Sequence, residues 1–175
     1  MELIPAKTII TKNRDTSWFG SDYNMNLYRG CSHGCIYCDS RSSCYRVDDF
    51  EQIKAKENAL QIVRDDLRRK VKKGVVGTGA MSDPYNPHEI HMELTRHSLE
   101  LIAAFGFGVS MLTKSTGILR DIPIYQIIAE QAPVNCMLTR YTCEDSLSKK
   151  LEPGATPSSE RLSLIHISEP TRHAQ

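Results

Sequence analysis

The sequence predicts an α/β fold with parallel strands, and three features predict it. Short apolar runs suited to buried strands alternate with longer stretches in which apolar residues recur every three or four positions. Glycine closes those periodic stretches, at Gly74 and Gly106. Strands alternating with helices of this length are joined by right-handed crossovers, which leaves an open doubly wound sheet or a piece of a barrel.

Residues 24–30 read as a short extended segment that delivers the chain into a cysteine-rich loop. Residues 50–56 fit a strand or a helix equally well. A helix is predicted over 58–72, with Asn58 as N-cap, Leu60, Val63, Leu67 and Val71 on one face, and Gly74 after its end. Residues 75–80 form an apolar run with glycines, a buried strand that empties into MSDPYNPHE, where two prolines forbid simple continuation. Thr95 is placed to cap a helix carrying Leu99, Ile102 and Ala103, stopped at Gly106. Residues 107–113 are the next strand. Pro123 opens a third helix with Ile124, Ile127, Ile128 and Gln131, and residues 134–139 are the fourth strand.

In such folds ligands gather where strands end and the following loops begin. The chemically notable residues obey this rule. The cysteines follow the first strand, Ser82 and Asp83 the second, Lys114 and Ser115 the third, and Arg140 and Tyr141 the fourth. Four loops are therefore expected to meet on one face.

Composition narrows the class. With 40% apolar and 25% charged residues among 175, the chain reads as a folded soluble domain, and a formal charge of +1 supplies no global field to draw it to nucleic acid or anionic lipid. The N-terminus lacks a long apolar core and a small-residue cleavage site, and no membrane-length apolar run follows, so a cytoplasmic protein without a membrane partner is expected. Six cysteines in a reducing compartment, three of them tightly clustered, favour metal or redox chemistry over disulfides.

The cluster is RGCSHGCIYCDS, which sets Cys31, Cys35 and Cys38 at spacings of four and three. Cys44 follows, so the residues alone leave a three-ligand and a four-ligand site open. Zinc prefers four ligands, usually as two spaced pairs, and no second pair is visible, although Cys44 or His33 could complete a set. A four-cysteine iron-sulfur centre is equally conceivable. Three close thiolates with no matched partner leave one position on a metal open, and an open position means chemistry. The second reading, from a different class, is a non-catalytic zinc or iron-sulfur binding module.

The CxxxCxxC spacing, with Tyr37 before the last cysteine, resembles the signature of radical S-adenosylmethionine enzymes. Together NLYRGCSHGCIYCDSRSSCY, GTGAMSDPYNPHE, LTKSTGILRDI and LEPGATPSSERL resemble the spore photoproduct lyase-like branch, also called DNA repair photolyase-related. The resemblance spans most of residues 26–162. It implies a partial (β/α) barrel holding about the first four of six β/α units, over residues 1–162. It implies a 4Fe-4S cluster on Cys31, Cys35 and Cys38, whose remaining iron chelates S-adenosylmethionine. One electron delivered into the sulfonium then yields methionine and a 5'-deoxyadenosyl radical that takes hydrogen from a substrate, with nucleic acid among the candidates. A one-electron donor such as flavodoxin or ferredoxin is implied as partner. Ser82, Asp83 and Lys114 fall where the branch holds S-adenosylmethionine, with Lys114 suited to its carboxylate. Tyr37 is placed for adenine stacking or for packing beside the loop, and Thr139 for the methionine carboxylate.

Two departures qualify the branch. The lyase is expected to carry a hydrogen-donating cysteine directly before its Ser-Asp pair; Met81 stands here, and a thioether has no S–H to give. Small hydroxylated residues are expected along the fourth strand, and CMLTR offers only Thr139. Arg120 and Asp121 read as braces of the third helix, and Arg68 to Lys73 as a helix end where cations oppose the macrodipole. Cys44, Cys136 and Cys143 read as core or surface thiols. The tail SLIHISEPTRHAQ, residues 163–175, resembles translated sequencing-adapter read-through and is set aside as non-native. On that expectation the fourth strand is an exposed edge, and the chain alone is poorly soluble or inactive.

Overall fold

The structure, a computed structural model, describes residues 1–17 and 20–168. Its strands are β1 (Glu2–Ile4), β2 (Ile10–Lys12), β3 (Tyr23–Met25), β4 (Tyr28–Arg29), β5 (Lys54–Lys56), β6 (Val75–Thr78), β7 (Gly108–Thr113) and β8 (Val134–Leu138). Its α-helices are α1 (Ala59–Arg69), α2 (Glu89–Met92), α3 (Leu94–Ala104), α4 (Ile122–Ala129), α5 (Asp145–Leu151) and α6 (Ser158–Ser168). Among the described residues the strands form two sheets. The larger runs β2-β3-β6-β7-β8, with β3, β6, β7 and β8 mutually parallel and β2 antiparallel at one edge. The smaller is β1-β5-β4.

The parallel sheet, with helices as crossovers, is the α/β fold that the apolar runs predict, and its register is explicit. Val75 to Thr78 pair with Gly108 to Met111, and Val109 to Thr113 with Val134 to Leu138. Val76, Val109, Met111, Phe107, Leu99, Ile102, Ile128, Val63 and Leu67 are almost fully buried and form the core between sheet and helices. Strand β8 is the sheet's edge. Among the described residues no helix is long and apolar enough to cross a membrane.

Several local expectations need correction. The extended segment 24–30 is split: β3 stays in the main sheet, whereas Tyr28 and Arg29 turn away to pair antiparallel with Ala55 and Lys54. The ambiguous stretch 50–56 contains their strand partner, β5. Helix α1 ends at Arg69 rather than 72, leaving Val71 99% exposed instead of on the core face. Asn58 does precede α1, but in a left-handed conformation (φ 52°) and without a side-chain capping bond. Thr95 lies inside α3. The capping acceptor there is the buried Glu89 carboxylate, which receives the amides of Thr95 (3.0 Å) and Arg96 (3.3 Å), while the Thr95 hydroxyl donates to the Pro84 carbonyl. Arg120 and Asp121 brace as expected: the guanidinium bonds both Asp121 and Glu89, and Asp121 also accepts from Tyr85. Of the tail set aside, residues 163–168 continue α6, with Leu164 buried, and residues 169–175 lie outside the described residues.

Candidate functional site

The first strand region, β6, β7 and β8 end on the same side, and their loops enclose a cavity of about 120 Å³. Cys31, Cys35, Cys38, Ser82, Asp83, Lys114 and Thr139 all line it. Tyr37 is the exception among the candidates. Its ring stacks on Tyr141 at 5.2 Å, and its hydroxyl donates to the Glu152 carboxylate, outside the cavity wall. Cys44 is exposed and is not part of the lining.

Backbone geometry explains how the loops approach so closely. Gly30 opens the cysteine loop at φ 84°; a Cβ there would stand 2.6 Å from the Phe50 carbonyl oxygen, to which the Cys31 amide donates. Gly79 ends β6 at φ 98°, where a Cβ would fall 1.8 Å from the Leu112 carbonyl oxygen. Only glycine fits either position.

Asp83 is the hub. It is 6% exposed and accepts from four protein donors: the Tyr85 amide (2.9 Å), the Thr113 hydroxyl (2.7 Å), the Lys114 amide (2.8 Å) and His33 Nε2 (2.8 Å). Burial alone would raise its carboxyl, but the bond and charge of His33, with the Lys114 amide and Thr113 hydroxyl, outweigh it and hold it below the usual carboxylate range. For His33 burial pulls down, and Asp83 with the Gly154 carbonyl wins, so the imidazole is raised. Ser82 donates to the Gly30 carbonyl at 2.6 Å, which ties the second loop to the first. Both members of the Ser-Asp pair thus fasten the cysteine loop in addition to facing the cavity.

Residues 151–161 lie outside the cavity lining and fasten the cysteine loop by hydrogen bonds. The Ile36 amide donates to the Leu151 carbonyl, the Gly154 amide to the His33 carbonyl, and His33 Nδ1 lies 3.0 Å from the Gly154 oxygen. Glu152 and Arg161, each 1% exposed, form a buried ion pair. Arg161 also donates to the Thr139 carbonyl and Ser148, and Glu152 stands 3.9 Å from Lys114 Nζ. Burial would raise Glu152, yet Tyr37 and Arg161 hold it low. Lys114 therefore reaches the cavity with one loose counter-charge. Glu152 and Arg161 are the functional-site residues that sequence reasoning misses, and His33, offered there as a spare metal ligand, has both ring nitrogens engaged, by Asp83 and the Gly154 carbonyl; the one available signal for the pair is its place inside the Pro-, Gly- and Ser-rich stretch LEPGATPSSER.

The thiols of Cys31 and Cys35 are raised chiefly by burial, for Cys35 against the pull of Lys114. Burying them as thiolates beside Asp83 and Glu152 is costly unless a cation compensates, so a metal bound by these thiols would displace their protons. Among the described residues no three His, Cys, Asp or Glu side chains are drawn together tightly enough to share one ion. Cys31, Cys35 and Cys38 nevertheless line one cavity, a set of three soft donors of the kind a thiophilic metal centre needs.

No protein-family model matches the chain. It is 34% identical over 167 residues to uncharacterized proteins of Mycobacterium bovis and Mycobacterium tuberculosis, covering 91% of this chain and 49% of theirs. An uncharacterized protein of Methanocaldococcus jannaschii is 32% identical over 145 residues, covering 81% of this chain and 52% of its own. The chain spans about half the length of the curated relatives it matches. Among solved structures, a tyrosine-to-phenylalanine variant of spore photoproduct lyase superposes with a TM-score of 0.67 at 15% identity, over 95% of this chain and 48% of that one. The lyase complexed with dinucleoside spore photoproduct gives 0.62 at 17%, over 92% and 46%. The fold matches about half of spore photoproduct lyase. At such identity the likeness to spore photoproduct lyase is one of fold.

Proposed function

We propose that the chain is the cofactor-binding part of a radical S-adenosylmethionine enzyme. The observation that carries this reading is the convergence of Cys31, Cys35, Cys38, Ser82, Asp83, Lys114 and Thr139, from four separate loops, on one cavity at the strand ends. Cys31, Cys35 and Cys38 would hold a 4Fe-4S cluster, which when bound with S-adenosylmethionine supplies one-electron reductive cleavage of the sulfonium. Lys114 offers its ammonium to the cosubstrate carboxylate, and Thr139 offers the neighbouring hydroxyl. Asp83 and Ser82 hold the cysteine loop at a fixed distance from β7. Glu152 keeps Lys114 directed at the cavity when no ligand is there.

Ala80 and Leu112 also line a second cavity of about 260 Å³ on the sheet face, with Asn24, Thr78 and Ser110 in its wall. It is the adjoining space for a substrate. The dinucleoside bound by spore photoproduct lyase supports nucleic acid as a substrate class. Met81, which has no S–H hydrogen to donate, argues for an outcome other than dimer reversal.

The test is anaerobic reconstitution of the protein with iron and sulfide, followed by dithionite and S-adenosylmethionine. Release of 5'-deoxyadenosine supports the reading. A loaded centre that releases none favours a binding module.

A further inference from the structure

Residues 152–158 form a short loop that lies against the cysteine loop. One side chain pins both of its ends: Glu152 and Ser158 are buried, and each accepts from the Arg161 guanidinium. Between them Pro153, Gly154 and Pro157 are exposed. The Gly154 amide donates to the His33 carbonyl (2.8 Å), His33 Nδ1 lies 3.0 Å from the Gly154 oxygen, and the Thr116 amide donates to the Thr156 hydroxyl (3.3 Å). The fit is close. A Cβ at Gly154 would stand 2.2 Å from the Ser32 carbonyl oxygen, and the Pro153 ring lies against Gly34. Just before the loop, the Leu151 carbonyl accepts the Ile36 amide at 3.0 Å.

His33 lies midway between Cys31 and Cys35, and Ile36 lies between Cys35 and Cys38, so each interval between thiols is fastened once. Neither backbone bond involves a thiol or needs a metal. A loop pinned at both ends, with its middle facing solvent, can lift without disturbing the sheet, as locally opening units do. We infer that residues 153–157, hinged at both ends on Arg161, are a flap that holds the cysteine loop in its binding shape before metal arrives, and that opening of this flap sets the rate at which the metal centre is lost. This rests on Cys31, Cys35 and Cys38 being the metal ligands, as proposed above. A loop already in shape spares the bound metal the cost of ordering its ligands, and a loop released from the flap restores that cost.

Amide hydrogen exchange of the reduced, metal-free full chain reads the closed flap directly. The Ile36 amide should be protected in the parent, and Gly154→Ala should speed its exchange by about tenfold, while the Val109 amide, bonded to Pro133 in the sheet, keeps its rate. After reconstitution with iron and sulfide, the same variant should lose iron to a ferrous chelator about tenfold faster than the parent. Pro153→Ala removes an exposed ring and loosens the flap's backbone; it should move both rates the same way, and it carries the test if Gly154→Ala does not fold. Ile128→Val weakens the buried core and should speed Val109 exchange without changing Ile36 exchange or iron loss, which separates the flap from general destabilisation. An Ile36 amide unprotected in the metal-free parent, or iron loss at the parent rate in both flap variants, would overturn the inference and leave the cofactor reading standing. A parent with protected amides that takes up no iron would overturn the cofactor reading and, with it, the flap's part in metal retention.

Discussion

Asp83→Asn is the sharpest probe of how the loops are held. The carboxylate receives four donors, two on each oxygen. Asparagine supplies one acceptor oxygen and an amide that donates. With its oxygen on the Tyr85 and Thr113 side, the amide faces His33 and the Lys114 amide. His33 can adapt, since Nδ1 can go on donating to the Gly154 carbonyl while Nε2 accepts. The Lys114 amide cannot. One buried donor is left unpaired and the charge assistance to the others is lost, a cost of about 3 kcal/mol against the few kcal/mol typical of a broken buried pair. With a urea m-value of about 2 kcal/mol/M, the unfolding midpoint of metal-free, reduced protein should fall by about 1.5 M at unchanged m. The loss should depend on pH. Asp83 is held low, so its contribution is present above the usual carboxylate range and fades as pH falls through its depressed folded value. His33 is raised, so its contribution is complete below the usual imidazole value and fades as pH rises through its folded value. The gap between parent and variant should therefore peak between those limits and shrink on either side. A midpoint shift below about 0.3 M near pH 6 would refute the hub role of Asp83.

Other outcomes follow from the same geometry. Arg161→Met leaves Glu152 buried without its partner and should cost about 3–5 kcal/mol; adding Glu152→Gln should recover part of that, which thermal melts in a double-mutant cycle would show as coupling. Gly79→Ala places a Cβ against the Leu112 carbonyl in a left-handed backbone, and should either abolish soluble expression or lower stability by more than about 2 kcal/mol by urea titration. Cys44→Ala should keep the iron and sulfide content of the parent after reconstitution, whereas Cys35→Ala should lose most of it.

What the sequence discloses, and what it hides, divides by range. Gly106 as a helix stop, Pro123 at a helix start and the apolar runs at 75–80 and 107–113 act within a few residues, so they are legible, and so is the rule that strand ends collect the chemistry; Gly74 is not the stop expected of it, since α1 ends at Arg69. The Thr95 cap fails because the Thr95 and Arg96 amides take their acceptor from Glu89, in another helix. Val71 misleads because the spacing continues past the point where the chain leaves the helix. The split of segment 24–30 depends on β5, more than twenty residues away, and an extended run carries no mark of which strand it will meet. In the candidate site, Cys31, Ser82 and Lys114 stand out by motif and position. His33, Glu152 and Arg161 matter through partners from 9 to 121 residues distant, and local spacing cannot report those.

If Cys31, Cys35 and Cys38 hold a 4Fe-4S cluster, as proposed, one iron would lack a side-chain ligand and be open to a small molecule. Mössbauer spectroscopy of the reconstituted protein, before and after S-adenosylmethionine is added, addresses it directly. The account predicts that one iron site changes on addition while the others keep their parameters. A spectrum indifferent to S-adenosylmethionine, with every iron already saturated by side chains, would contradict it.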